Sequence, residues 1–239
     1  MQTAKLNRQN GLTLVELLVA MAVGIILVGS AVTMHLSGRA AYVDSERLSR
    51  MQENIRFASD YLIRDIRNAG FRDETFLKVG HEQQIRTAYA QVLDSGATLR
   101  VRYAGRGHCT QAFDEFRLVE NEYTLSNNGE LACRGRTLAQ DADGDDLIED
   151  EAFSTAVGLV DGLTGVAFQL VCPDGGTACT CDMDTNLDTA CIGVRVALQF
   201  EGMRELNSAA VGNRAVELTA AFRNVILDRV NADAIEEET

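Results

Sequence analysis

The sequence predicts an α+β protein in which a long N-terminal helix, apolar in its first half and amphipathic in its second, packs on an antiparallel β-sheet head. Three observations predict it. Residues 17–38 form a run of 22 without Asp, Glu, Lys or Arg; residues 48–69 place apolar side chains at steps of three and four with no proline; beyond Phe71 the apolar spacing changes to alternation and short runs. The 239 residues are 46% hydrophobic and 24% charged, a globular composition that excludes wholesale disorder, collagen and a chain made only of coiled coil. A formal net charge of −13 argues against general attraction to nucleic acid or anionic lipid.

The charge is unevenly distributed. Residues 1–11 hold Lys5 and Arg8 and no acid, residues 12–38 hold only Glu16, and residues 73–239 hold 13 basic against 29 acidic residues. A helix rising about 1.5 Å per residue carries the uncharged run across roughly 33 Å, enough to span a hydrocarbon core of about 30 Å. The basic leader favours a cytoplasmic N-terminus, so everything after Arg39 is expected outside the cytoplasm. A secretory signal would place its small-residue cleavage site after the apolar region, but Gly11 precedes it. Cutting there removes the charged leader and retains the helix. Glu16, a carboxylate costing about 2.5 to 3.5 kcal/mol by insertion scales, then either reaches the headgroup boundary or has an ionic partner.

The string Gly11-Leu12-Thr13-Leu14-Val15-Glu16-Leu17 resembles the class III signal of type IV pilins and type II secretion pseudopilins. The resemblance implies cleavage after Gly11 by a prepilin peptidase, N-methylation of Leu12 as the first mature residue, and an assembly role for Glu16 at mature position five. The family usually has Phe where this chain has Leu12. The implied role has a physical basis, because the new cationic amine is costly in an apolar bundle unless an opposite charge lies near. Glu16 of a neighbouring subunit supplies one.

In the stalk, Leu48, Met51, Ile55, Ala58, Leu62, Ile66 and Ala69 form one apolar stripe. Arg47, Glu53, Arg56, Asp60, Arg64 and Asp65 are expected on the solvated face, Gly70 is the expected stop, and Gly24 or Gly29 is expected to soften the helix. The strings Met51-Gln52-Glu53-Asn54-Ile55-Arg56-Phe57-Ala58 and Asp65-Ile66-Arg67-Asn68-Ala69-Gly70-Phe71 are similar to the PilW group of minor pilins. Together with the N-terminal motif, the resemblance covers about the first 73 residues.

Strands are expected at residues 99–103, 116–119, 123–125, 131–133, 165–172, 192–200 and 216–227, with a hairpin at Asn127-Asn128-Gly129. The last of these contains Phe222-Arg223-Asn224-Val225, which is similar to the C-terminal strand of the PilW group. The chain therefore reads as a cleaved basic leader (1–11), a transmembrane or filament-core helix (12–38), an amphipathic stalk (39–70), an acidic head (71–232) and a flexible tail (233–239).

All six cysteines, Cys109, Cys133, Cys172, Cys179, Cys181 and Cys191, lie in the head on the side expected to be extracytoplasmic, which favours disulfides. Local closure suggests Cys109 with Cys133 and the other four stapling the 172–191 loop. Zinc is the competing reading, against which Cys179-Thr180-Cys181 is too tight for the usual knuckle and His35, His81 and His108 offer no paired ligand motif. Asp141, Asp143, Asp145 and Glu149 stand at the first, third, fifth and ninth places of an EF-hand-like loop and are candidate Ca²⁺ ligands. Asp146 replaces the sixth-place glycine and Ala152 the bidentate Glu, so the alternative is an acidic solvated loop.

No catalytic constellation is found. His81-Glu82-Gln83-Gln84-Ile85 lacks a second His, and Gly105-Arg106-Gly107 lacks the remaining spacing of a dinucleotide loop. The expectation is a non-enzymatic minor pilin of a Gram-negative type IV pilus, held in the inner membrane and then in a surface filament that supports pilus initiation, adhesion and twitching motility. Its partners would be other minor and major pilins, the prepilin peptidase and the inner-membrane assembly machinery. A type II secretion pseudopilin of the J type is the nearest rival, and a membrane-anchored calcium- or ligand-binding domain the next. Nucleic acid is not an expected partner, since the head shows no basic stripe with interleaved aromatics.

Overall fold

The computed structural model describes residues 13–71, 89–140, 147–148, 152–177, 179–181, 190–200 and 214–227. The chain divides into two compact units, residues 1–50 and 51–239, and the division falls within a single helix, α1 (Leu14–Asn68). In the first unit α1 runs through Gly24 and Gly29 without a break, as the expected single long helix requires. Each glycine costs about 1 kcal/mol relative to alanine in a helix interior, too little to interrupt a long run of helix formers on both sides.

In the second unit the end of α1 lies against β-structure. Ala58, Leu62 and Ile66 are buried and Met51 and Ile55 partly so, as the three-four stripe requires. Gly70 adopts φ 73°, the left-handed cap that a side chain resists, and its N–H donates to Arg102 O at 2.9 Å. Farther up the helix, Asn54 Nδ2 donates to Asp161 Oδ1 at 2.6 Å, tying α1 to the turn before the second sheet.

The first sheet is antiparallel in the order β1 (Ala90–Leu93), β2 (Thr98–His108), β3 (Gln111–Leu125), β4 (Leu131–Gln140) and β5 (Leu147–Ile148), with β6 (Val157–Val160) also paired to β4. The second is antiparallel in the order β7 (Leu163–Val171), β8 (Gly193–Phe200) and β9 (Arg214–Ala221). Leu99, Val101, Tyr123 and Leu131 of the first sheet and Val194, Val196 and Leu198 of the second join Leu62 and Ile66 in one core. The hairpin at residues 126–130 is present, with Leu125 opposite Leu131.

β1, β5 and β6 fall where no strand is expected, and two expected strands are redrawn. Residues 116–119 and 123–125 belong to one 15-residue strand, because the intervening Glu120 and Glu122 are paired across the ladder instead of breaking it. The C-terminal strand ends at Ala221 and residues 223–227 form a helical turn, so Phe222-Arg223-Asn224-Val225 is not a strand. Phe222 and Val225, three apart, are both fully buried, a spacing that suits a helical turn better than an alternating strand.

The hairpin of β2 and β3 does not run straight. On a straight ladder Cys109 would lie about 30 Å beyond Asn121, at roughly 3.3 Å per residue, yet its N–H donates to Asn121 Oδ1 at 2.9 Å. The bend falls at a bulge where Arg106, between Gly105 and Gly107, faces residues 113–116. A Cβ on Gly105 would run into the Tyr103 ring.

Asp65 is a correction to the sequence reading. It is not on the solvated face: it is 7% exposed, three residues from Leu62 on the packed side of α1. Tyr103 Oη donates to its Oδ1 at 2.6 Å, while Tyr123 Oη (2.6 Å) and Asn121 Nδ2 (3.0 Å) donate to Oδ2. Burial pushes the carboxyl up from its ordinary value of 3.8, outweighing the three donors that pull it down. Burial, then the Asp65 charge, likewise raises the phenols of Tyr103 and Tyr123.

Replacing Asp65 with Ala takes the acceptor from two buried phenols, while Asn121 Nδ2 keeps Tyr103 Oη at 3.1 Å, and should destabilise the full chain in detergent by about 3 kcal/mol in thermal or denaturant unfolding. Because its folded-state pKa is raised, Asp65 contributes most below pH 4, and that contribution falls as pH climbs through the folded-state value. The stability of wild type relative to Asp65→Asn should therefore decrease as pH is raised from about 4. A pH-independent difference would contradict the assignment.

Candidate functional site

The helix begins where the chain passes from polar to apolar. Thr13 stands before the first turn of α1, and the Glu16 N–H donates to Thr13 Oγ1 at 3.4 Å. Thr13-Leu14-Val15-Glu16 is thus the Thr-x-x-Glu pattern of a capping box, a local signal that overlaps the cleavage-type motif in the same residues. Glu16 is exposed in the first turn, where a carboxylate also complements the positive end of the helix dipole. Gly11 and Leu12 lie outside the described residues.

On either side of Glu16, Leu14, Leu17, Leu18, Ile25, Ile26 and Leu27 are each more than half exposed. The most apolar 18 residues of α1 have mean hydropathy 2.5, and none is buried in the chain. Leucine and isoleucine displayed on every side of a helix have no stable partner in water, and lipid or other apolar helices are the media that accept them.

In the head, polar chemistry is concentrated on the face of the first sheet opposite the core. Register places Arg100, Glu122 and Arg134 in one cross-strand row and Arg102, Glu120 and Arg136 in the next. Glu122 accepts from Arg100 Nε and Arg134 Nε, both at 2.6 Å, and Glu120 from Arg102 Nε and, at 3.0 Å, from Arg136 Nε. Both carboxylates are nearly inaccessible, and the Phe153 ring lies over Arg134 and Arg136 with guanidinium-to-centroid distances of 4.6 and 4.4 Å. Each buried glutamate sits between two guanidiniums, which offsets its desolvation. The row holds three strands in register and offers no nucleophile or acid-base pair.

The cysteines pair as Cys109–Cys133, Cys172–Cys179 and Cys181–Cys191, and none of the six is free. The first ties the folded-back hairpin tip to β4, and the other two lie on either side of Thr180, which bridges Ala190. Buried Tyr89 donates its hydroxyl to Cys191 O at 2.7 Å and meets the edge of Phe222 at 5.1 Å. The candidate calcium ligands Asp141, Asp143, Asp145 and Glu149 lie outside the described residues. Among the described residues, no cluster of three or more His, Cys, Asp or Glu is arranged to hold a metal.

Residues 6–32 match the family described as the prokaryotic N-terminal methylation motif. That match and the apolar helix support a type IV pilin-like or pseudopilin chain, with a membrane anchor that later becomes part of an assembled fibre. The motif implies processing by a prepilin peptidase and assembly with pilin machinery. The long helix followed by antiparallel sheets is a pilin-like architecture. No curated protein matches the chain.

Cys109 and Cys133 are 24 residues apart, so removing both thiols as a double serine variant should lower stability by about 3.5 kcal/mol in the loop-entropy view. Denaturant midpoints of the oxidised chain and the double variant measure it; equal midpoints would show that the staple does not hold the hairpin tip.

Proposed function

We propose that the chain is a minor pilin of a Gram-negative type IV pilus, of the PilW group, whose role is structural and not catalytic. The observation that carries the reading is the junction of a methylation motif at residues 6–32 with a helix whose large apolar side chains stay exposed among the described residues. Lys5 and Arg8 favour a cytoplasmic N-terminus, which puts the helix in the inner membrane and the disulfide-bonded head outside the cytoplasm. Cleavage after Gly11 leaves a methylated amine on Leu12, and Glu16 of a neighbouring subunit neutralises it when helices bundle. The strings around Asn54 and Asn68 resemble the PilW group, and with them come roles in pilus initiation, adhesion and twitching motility. A J-type pseudopilin shares the leader, helix and head plan.

Deleting the gene should abolish surface fibres and twitching while sparing secreted enzymes; lost secretion with intact fibres would identify a pseudopilin instead. Protein recovered from fibres should begin at N-methylated Leu12, and a sequence beginning at Met1 would overturn the processing. Glu16→Gln separates charge from capping, since glutamine also serves at the third position of a capping box. That variant should insert in the membrane but assemble poorly, by roughly tenfold or more for loss of an ion pair buried among apolar helices. Normal fibre counts would refute the pairing.

A further inference from the structure

The corner of the β2–β3 hairpin builds a surface that the filament reading does not use. Between the last turns of α1 and the folded-back hairpin runs an open groove of about 850 Å³. Asp65 and Tyr103 lie at its floor, Arg64 on its helical wall and Arg106 on the hairpin wall. Both arginines are exposed, and neither makes an ion pair among the described residues. The Asp65 oxygens are taken by two phenols and an amide.

Arg106 is held in place. It stands between two glycines, opposite the bulged residues 113–116 of β3, and its guanidinium lies over the Phe116 ring, 5.0 Å from the centroid. A guanidinium stacked by one face keeps its N–H edge for in-plane carboxylate recognition. Arg64 adds a second exposed cation to the lining of the same groove.

We propose that this groove docks an acidic peptide segment of a partner protein, with carboxylates received by Arg64 and Arg106. Charge complementarity selects the occupant. A nucleic-acid strand needs a run of cations and open aromatic faces, whereas two separate arginines line the groove and the Phe116 face is already covered by Arg106. A small anion would leave most of an 850 Å³ groove unfilled. The proposal does not depend on assembly into a filament.

The test uses the full chain in neutral detergent and a labelled peptide with the sequence of residues 141–151, Asp-Ala-Asp-Gly-Asp-Asp-Leu-Ile-Glu-Asp-Glu. Fluorescence anisotropy should show salt-sensitive binding, weakened roughly tenfold by Arg106→Gln and again by Arg64→Gln. Arg195→Gln, in the second sheet, should bind as wild type, and the peptide with every acid changed to its amide should not bind. Unchanged melting temperatures and intact disulfides establish that the variants are folded. Absent binding, undiminished binding by the double variant, or equally tight binding of a single-stranded thymidine oligonucleotide would overturn the proposal.

Discussion

Asp65 joins a helix to a sheet through a carboxylate that water scarcely reaches. The apolar stripe of Ala58, Leu62, Ile66 and Ala69 drives α1 onto the sheets, but hydrophobic burial has no direction and would tolerate a helix displaced by one turn. The carboxylate does not. Its three donors come from Tyr103 on β2 and from Asn121 and Tyr123 on β3, and the β2–β3 register sets their separation. Shifting α1 by one turn would strip the buried carboxyl of its donors and the two phenols of their acceptor, each lost partner costing about 1 to 3 kcal/mol. The carboxylate thereby fixes the register of α1 on the sheet.

The opposite face of the same sheet follows the same rule with different groups. Glu120 and Glu122 are buried between paired arginines, and the alternation of β3 sends Asn121 to the core side while its two acidic neighbours face away. One strand thus supplies a donor to the helix and two acceptors to the arginine rows. Because the two polar layers share a backbone, a one-residue slip of β3 would put glutamates into the core and apolar side chains into the charged layer. The bend at Arg106 and the Cys109–Cys133 bond then bring the hairpin tip back to the neighbourhood of Asn121. Along the resulting groove, Arg64 and Arg106 make no ion pair among the described residues.

Much of the plan was legible in the residues. The uncharged run, the three-four stripe and Asn127-Asn128-Gly129 act through neighbours a few positions away, and the elements they announce are in the structure. Local signals were also missed or misread. Thr13 with Glu16 is a capping pattern obscured by a stronger reading of the same residues, and Phe222 with Val225 was assigned to a strand because an apolar run does not reveal its period. Asp65 could not be placed from its own surroundings. An aspartate between Arg64 and Ile66 reads as solvent-facing, and its partners lie 38 to 58 residues away.

Sequence alone determined that this chain has a helix too apolar for water, an acidic head rich in cysteine, and a cleavage-type motif where the two charge regimes meet, since composition and short-range periodicity require no knowledge of contacts. Tertiary structure decided which carboxylates are buried, which arginines they neutralise, and which two arginines remain to face a groove. Those outcomes depend on strand register and on a hairpin that doubles back. Both are set by pairing between residues far apart in the chain, at distances that a local pattern does not encode.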